Sequence, residues 1–268
     1  MPELPEVEII TRELNSVFRG KRILDVLVYR DKAIKGISKD EFIRKLIGEK
    51  VKGIIRRGKV MLFEMENVWL IVHLKINGQV YVSEIKPSWA LVGFKFEGEK
   101  RCLYLCDFRG LVELRLSEDP YKELFLTKMG PDALSEEFSF EYFYSKVRNS
   151  RSKIKPLIMD QNFVAGIGNI YAAEALFRAK IRPDRIASSL TEEEVKRLYK
   201  AIRDVLNDSI KHGAAVKKYL IDGKNRKDFS NNFLVYNREG EACRVCGGKI
   251  AKVTLSGRGT YFCPTCQV

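Results

Sequence analysis

No unbroken apolar run in the 268 residues approaches a membrane span. The N-terminus carries no basic stretch leading into an apolar core. Neither bilayer insertion nor secretion is expected, and a cytoplasmic location is. Cysteine is scarce outside one region: four of the six lie beyond residue 242 in metal-ligand spacing, leaving only Cys102 and Cys106. A disulfide framework is therefore not expected, and a reducing compartment is. The two remaining cysteines share one face of an expected strand over 101–107 and read as buried, inert thiols. Acidic residues are outnumbered, 35 against 48 Lys and Arg, for a net charge of +13. The resulting pI near 9.4 points to a polyanionic partner, nucleic acid before membrane, because no basic amphipathic segment stands alone at a terminus. Gly166-Ile167-Gly168 lacks a third glycine, and no parallel βαβ frame surrounds it, which excludes a dinucleotide fold.

The chemistry is expected at the opening stretch, Met1-Pro2-Glu3-Leu4-Pro5-Glu6-Val7-Glu8. Removal of Met1 would expose the secondary amine of Pro2. An α-amine titrates at roughly 7.7–8.0, against about 10.4 for lysine, so near neutrality far more of it is free to act as a nucleophile. Apolar residues at 7, 10, 14, 17 and 18 recur at helical spacing, with Glu6 and Glu8 in the first turn and Gly20 as the stop. Pro2 and Glu3 then flank the positive end of a helix, which disfavours a protonated amine and favours a nearby carboxylate. An ordinary capped surface helix is the competing reading.

Strands are expected over 23–29, 51–55, 60–65, 69–76, 79–83, 91–96, 101–107 and 111–116, a sandwich or barrel interrupted by one helix with a capping box at Ser38 to Glu41. Arg56-Arg57-Gly58-Lys59 reads as a hairpin turn with Lys59 at its tip, where a lysine is ordinarily solvated. Leu70, Val72 and Leu74 alternate inward, turning Trp69, Ile71, His73 and Lys75 outward. His73 is then accessible, as a phosphate contact or a structural histidine. Around 127–135 the pattern gives way to helices over 139–149, 155–160 and 170–179, with Pro156 in a first turn. Gly166 and Gly168 before a helix suit phosphate approach, with Asn169 as a side-chain donor. A capping box at Thr191 opens a long amphipathic helix ended by Gly213. The polar stretch 222–228, which includes Lys224 and Asn225, is a linker or a loop that orders over a ligand.

The strongest single motif is Cys243-x2-Cys246-x16-Cys263-x2-Cys266. Two knuckles supply four thiolates to one tetrahedral Zn2+, which leaves no open position and makes the metal structural. The intervening residues read as a hairpin with its turn at 256–260 and Arg258 at the tip as a phosphate-binding finger.

These residues together resemble the bacterial formamidopyrimidine-DNA glycosylases, of the family that also contains endonuclease VIII. The anchors are the opening octapeptide, Arg57-Gly58-Lys59, Ile71-Val72-His73-Leu74, the run from Gly166 through Glu174, and Tyr236 through Cys266. The resemblance implies an α+β multidomain protein: an N-terminal β-sandwich with its helix over 1–131, a helix-two-turn-helix domain over 132–231, and a four-cysteine zinc-finger hairpin over 232–268. It implies a monomeric base-excision-repair glycosylase and AP lyase of the bacterial cytoplasm, nucleoid-associated when bound, acting on double-stranded DNA with oxidised bases or abasic sites. Pro2 would form an imine with the damaged sugar, Glu3 would move protons, and Lys59 would assist. His73, Asn169 and Arg258 match phosphate binders, and Glu6, Glu174, Lys224 and Asn225 match positions near the base pocket. Leu4 favours the oxidised-purine branch, since endonuclease VIII proteins typically carry glycine there. An oxidised-pyrimidine glycosylase and a non-catalytic zinc-ribbon DNA-binding protein are the alternatives. In the void-filling loops the chain departs from the family pattern. Ile76 stands in place of methionine, and Asp107-Phe108-Arg109-Gly110-Leu111 keeps one arginine and puts leucine where the family has phenylalanine. The choice of lesion and opposite base is thereby placed in doubt.

Overall fold

Leu4, Val7, Ile10, Leu14 and Phe18 form one fully buried stripe, and helix α1 (Leu4–Phe18) follows from it. Glu3 is its N-cap, and Glu3 and Glu6 form a reciprocal capping box in which the Glu3 N–H donates to Glu6 Oε2 at 2.8 Å. The computed structural model describes residues 2–214 and 229–268. These divide into two compact units, residues 2–127 with 213–214, and residues 128–212 with 229–268.

The first unit continues through β1 (Ile23–Val28), α2 (Lys39–Leu46), β2 (Gly53–Arg57), β3 (Val60–Glu64), β4 (Trp69–His73), β5 (Gln79–Ser83), β6 (Ala90–Phe96), β7 (Cys102–Cys106), β8 (Glu113–Ser117) and the short α3 (Leu124–Thr127). The strands form two four-stranded antiparallel sheets, β1-β6-β7-β5 and β2-β3-β4-β8. Apolar side chains of both sheets, including Val26, Phe63, Val72, Phe94 and Leu105, share one core with α1 and α2, making a β-sandwich. Two expectations need correction. Ile71 is as buried as Leu70, because it pairs across the strand with buried Leu62 and both faces of β4 are covered. Strand β4 stops at His73 rather than running to Ile76, since Lys75 takes a left-handed φ of 54° that a ladder cannot accommodate.

Cys102 and Cys106 are buried in a satellite cluster with Ala90 and Tyr104, outside the main core. Burial pushes the Cys106 thiol up to about 12, so it stays protonated and unreactive near neutrality.

The second unit holds α4 (Phe140–Arg148), α5 (Ile154–Met159), α6 (Asn169–Arg178), α7 (Glu192–Lys211) and the hairpin β9 (Ala251–Leu255) and β10 (Arg258–Phe262). Ser139 and Thr191 cap α4 and α7 through their hydroxyls. Helix α6 is buried on most of its circumference and packs on both α7 and the hairpin, so it is the pivot of this unit. Among the described residues no helix is long and apolar enough to cross a membrane.

Candidate functional site

In the first unit the opening residues are not those of an ordinary surface helix. Pro2 is buried, and Glu3 and Glu6 are only 1% and 2% exposed. Two buried acidic residues at the positive end of α1 are the arrangement a helix dipole stabilises, and their capping box fixes the backbone that follows Pro2.

The β2–β3 hairpin closes with two residues, Gly58 and Lys59, between paired Arg57 and Val60. Gly58 has φ 57° and Lys59 does not share the positive sign, the pattern of a turn with glycine in its first central position. Lys59 is only 8% exposed, so the solvated-turn reading fails. Arg56 locks the turn to α1: its Nε donates to Glu8 Oε2 at 2.6 Å and its Nη1 donates to the Gly58 carbonyl at 2.9 Å. The residue before the lysine is thus held by the helix that begins at Glu3.

Pairing of Val60 with His73 brings β4's last residue beside Lys59. His73 Nδ1 accepts the Lys75 N–H at 2.9 Å, so in the neutral ring Nε2 carries the proton and is the donor. Burial first, then the positive charges of Lys75 and Lys59, lower the His73 pKa to about 4. Near neutrality it is an uncharged N–H donor, half-buried rather than openly accessible. The folded pKa lies below the unfolded 6.5, so the unfolded chain binds the extra proton between those values. Stability from this group is complete above about pH 6.5 and is lost as pH falls towards about 4, by no more than about 3 kcal/mol. Chemical denaturation from pH 7 to pH 4 should show His73→Gln abolishing that part of the slope. An identical slope in the variant would place the acid sensitivity elsewhere.

Two turns adjoin at the end of this sandwich. His73 pairs with Glu113 and Gln79 with Cys106, so residues 74–78 lie next to 107–112. A Cβ on Gly78 would stand 2.2 Å from the Leu74 carbonyl and 2.7 Å from a Val112 methyl, so only glycine permits this approach. The turns present Ile76, 49% exposed, and Leu111, 38% exposed, and Arg109 is exposed on the same turn as Leu111. Phe108, which sequence reasoning passed over, is 69% exposed on the same loop.

The second unit gathers a separate set. Asn169 opens α6, and its side chain is held at both ends: Oδ1 accepts from Lys155 Nζ at 2.6 Å, and Nδ2 donates to the Gly259 carbonyl at 3.1 Å. Lys155, 1% exposed, also donates to Thr260 Oγ1 at 2.8 Å. This buried cation joins α5, α6 and the hairpin, and sequence reasoning missed it because Lys155 and Thr260 are distant in the chain. Beside it lies a cavity of about 190 Å³ lined by Lys155, Pro156, Met159, Asp160, Leu255, Ser256 and Arg258. Arg258 is exposed but is not at the hairpin tip. Ser256 and Gly257, with φ 48° and 73°, make a two-residue turn, and Arg258 is the first residue of β10, paired with Leu255.

Glu174 is 1% exposed, and its carboxylate accepts the backbone N–H groups of Leu234, Val235 and Tyr236 at 2.8–2.9 Å. Burial raises its pKa against the pull of those three donors. It anchors the segment leading into the cysteine hairpin. Lys224 and Asn225 lie outside the described residues.

The four cysteine sulfurs all lie within 4.8 Å of one another, with Cys243–Cys266 at 3.9 Å and Cys246–Cys263 at 3.5 Å. Tetrahedral bonds of about 2.3 Å imply sulfur separations of about 3.8 Å, so the donor set fits a four-thiolate zinc. The cluster packs on α6 through Ala173, Phe177 and Ile250. Gln267 ties it further: its Oε1 accepts from the Cys263 N–H and its Nε2 donates to the Ile181 carbonyl, both at 2.8 Å.

Family models match along the chain: the formamidopyrimidine-DNA glycosylase N-terminal domain at residues 1–114, the formamidopyrimidine-DNA glycosylase H2TH domain at 129–219, and a zinc finger found in FPG and IleRS at 240–268. The chain is 39% identical to the formamidopyrimidine-DNA glycosylase of Pelotomaculum thermopropionicum, over 100% of this chain and 99% of that one. It is 35% identical to the enzyme of Listeria monocytogenes, over all of both chains. Among solved structures, MutM (Fpg) of Thermus thermophilus superposes with a TM-score of 0.89 at 36% identity, covering 99% of this chain and 98% of that one. Lactococcus lactis Fpg in complex with abasic-site DNA gives 0.92 at 33% identity, covering 99% of each.

Proposed function

Because this chain belongs to the formamidopyrimidine-DNA glycosylase family, we propose that it excises oxidised purines, 8-oxoguanine and formamidopyrimidines, from duplex DNA and then cuts the strand as an AP lyase. The carrying observation is that buried Pro2 and Glu3 begin the same helix to which Arg56 clamps the turn bearing buried Lys59. A non-catalytic zinc-ribbon binder would have no use for these groups, and burying a lysine and two glutamates without a role is costly.

In this reading, loss of Met1 frees the Pro2 amine. Its lone pair attacks C1′ of an extruded nucleotide, forming a C–N bond as the bond to the damaged base breaks. Extrusion costs a few kcal/mol, least for a damaged base. Glu3 takes the proton shed by the Pro2 nitrogen and passes it to the sugar-ring oxygen as the ring opens, leaving an iminium. That iminium is the electron sink for removal of the C2′ proton and departure of the 3′ phosphate, and a second elimination releases the 5′ phosphate. Lys59 and the neutral Nε2–H of His73 contact the phosphate and sugar of the same nucleotide. Asn169 and Arg258 provide phosphate contacts from the second unit, and buried Lys155 holds Asn169 in place for its contact. The four cysteines hold one zinc, whose contribution is to fold the hairpin that carries Arg258. The protein acts as a monomer in the bacterial cytoplasm.

Borohydride reduction of the protein mixed with duplex DNA holding 8-oxoguanine or an abasic site is the test. A covalent protein–DNA species is expected with both, and its absence with both would leave only DNA binding.

A further inference from the structure

Asp107 is 2% exposed and staples its own loop. Its Oδ1 accepts the Arg109 N–H at 2.9 Å, its Oδ2 accepts the Leu111 N–H at 2.6 Å, and its carbonyl accepts the Gly110 N–H at 3.1 Å. Its own N–H donates to the Trp89 carbonyl at 3.2 Å, which fixes the loop to the start of the neighbouring strand β6 of the same sheet. Within this short, four-times-bonded loop Phe108 is the most exposed aromatic side chain of the described residues. A single exposed apolar residue ordinarily means little. Here, however, the backbone holds a ring out in water beside a cation, with the Arg109 guanidinium 5.9 Å from its centroid. The adjoining turn presents Ile76, itself 49% exposed. A rigid aromatic face, an arginine and an aliphatic wedge on two abutting turns of a chain with net charge +13 suit nucleobases, whose π-faces stack on aromatic rings and whose edges accept guanidinium hydrogen bonds.

We propose that Phe108 stacks on a base beside the extruded nucleotide and that it, rather than Leu111, supplies the aromatic contact that holds the opened duplex. This rests on the glycosylase reading above. Leu111 has no π-face and is less exposed, while its N–H is spent on the Asp107 staple. Arg109, poised over the ring, is then placed to reach the base left without its partner. The occupant is a base of duplex DNA. A protein surface pressing on Phe108 is the competing occupant, and the experiment separates the two.

Duplex DNA with a tetrahydrofuran abasic analogue and 2-aminopurine in the opposing strand serves as the probe, with Phe108→Ala, Phe108→Tyr and Leu111→Ala in the full chain. Phe108→Ala is expected to lose the binding-induced 2-aminopurine fluorescence change and about tenfold in affinity for this duplex relative to undamaged duplex, the size of one base–aromatic stack. Phe108→Tyr keeps the ring and is expected to retain both signals. Leu111→Ala should lose less than half as many decades as Phe108→Ala. Because the Phe108 side chain is exposed, melting temperatures should agree within about 2 °C, which separates contact from folding. If Phe108→Ala keeps the wild-type fluorescence change and preference, or if Leu111→Ala carries the larger loss, the proposal is overturned. Failure of the wild type to trap abasic DNA with borohydride would instead overturn the glycosylase reading, so the two failures are distinguishable.

Discussion

Glu3→Gln should lower single-turnover excision of 8-oxoguanine by about 10²–10⁴-fold, the range expected for loss of one positioned acid–base group. The substitution is nearly isosteric. A glutamine oxygen can still accept within the capping box, and the Glu3 backbone N–H still donates to Glu6. Loss of helix stability should therefore stay within about 1 kcal/mol. Because Glu3 is only 1% exposed, the amide fits the same volume and no cavity opens. What the variant lacks is a titratable proton next to the Pro2 nitrogen. A preformed abasic site already exposes an aldehyde, so imine trapping there should suffer less than base excision. Excision at the wild-type rate would remove Glu3 from the mechanism. A loss matched by a fall in melting temperature of more than about 5 °C would assign it to the helix cap instead.

Removing the metal should have a comparably large effect on DNA binding and a small one on the sandwich. A two-stranded hairpin is not stable alone in water, and the folding free energy of a small thiolate site is largely that of metal binding. Without zinc, Cys243 and Cys263 lose their common centre, and with it goes the packing of the hairpin on Ala173 and Phe177 of α6. The same hairpin supplies Thr260 to Lys155, the Gly259 carbonyl to Asn169, and Arg258 itself. Disordering two or more of the charge-assisted phosphate contacts proposed above, each worth roughly 1.5–3 kcal/mol, implies a loss of about 100-fold or more. The first unit has its own core around α1 and both sheets, so its unfolding transition should persist in the presence of chelator. Arg258→Ala isolates one of these contacts and should reduce the slope of log affinity against log salt by about one. Full affinity after complete chelation, verified by metal analysis, would contradict the role given to the hairpin.

Local signals in the chain carried most of the architecture, and the misses share a physical cause. The stripe from Leu4 to Phe18, the capping box at Thr191 and the paired cysteine knuckles are decided by residues within a few positions of one another, so they can be read without the fold. The end of β4 depends on Lys75 entering a left-handed turn that Gly78 makes possible by packing on Val112, a contact no periodicity reports. The same holds for Lys155, which in sequence is an ordinary lysine at the start of a helix. Its burial becomes visible only when Asn169 and Thr260 meet it. Lys59 was placed in the right turn, but its exposure was misjudged because Arg56 draws that turn onto α1. Phe108 occupies a position that motif comparison treats as variable, and only its exposure on a stapled loop distinguishes it.

The identity of the nucleophile decides the proposed chemistry. The decisive measurement is peptide mapping by mass spectrometry of the borohydride-reduced adduct between the full-length protein and abasic-site DNA. The expected result is a chain that has lost Met1 and carries the sugar remnant on the Pro2 nitrogen, with Lys59 unmodified and with no adduct when the N-terminus is blocked. An adduct on the Lys59 ε-amine, or undiminished trapping by N-terminally blocked protein, would contradict it.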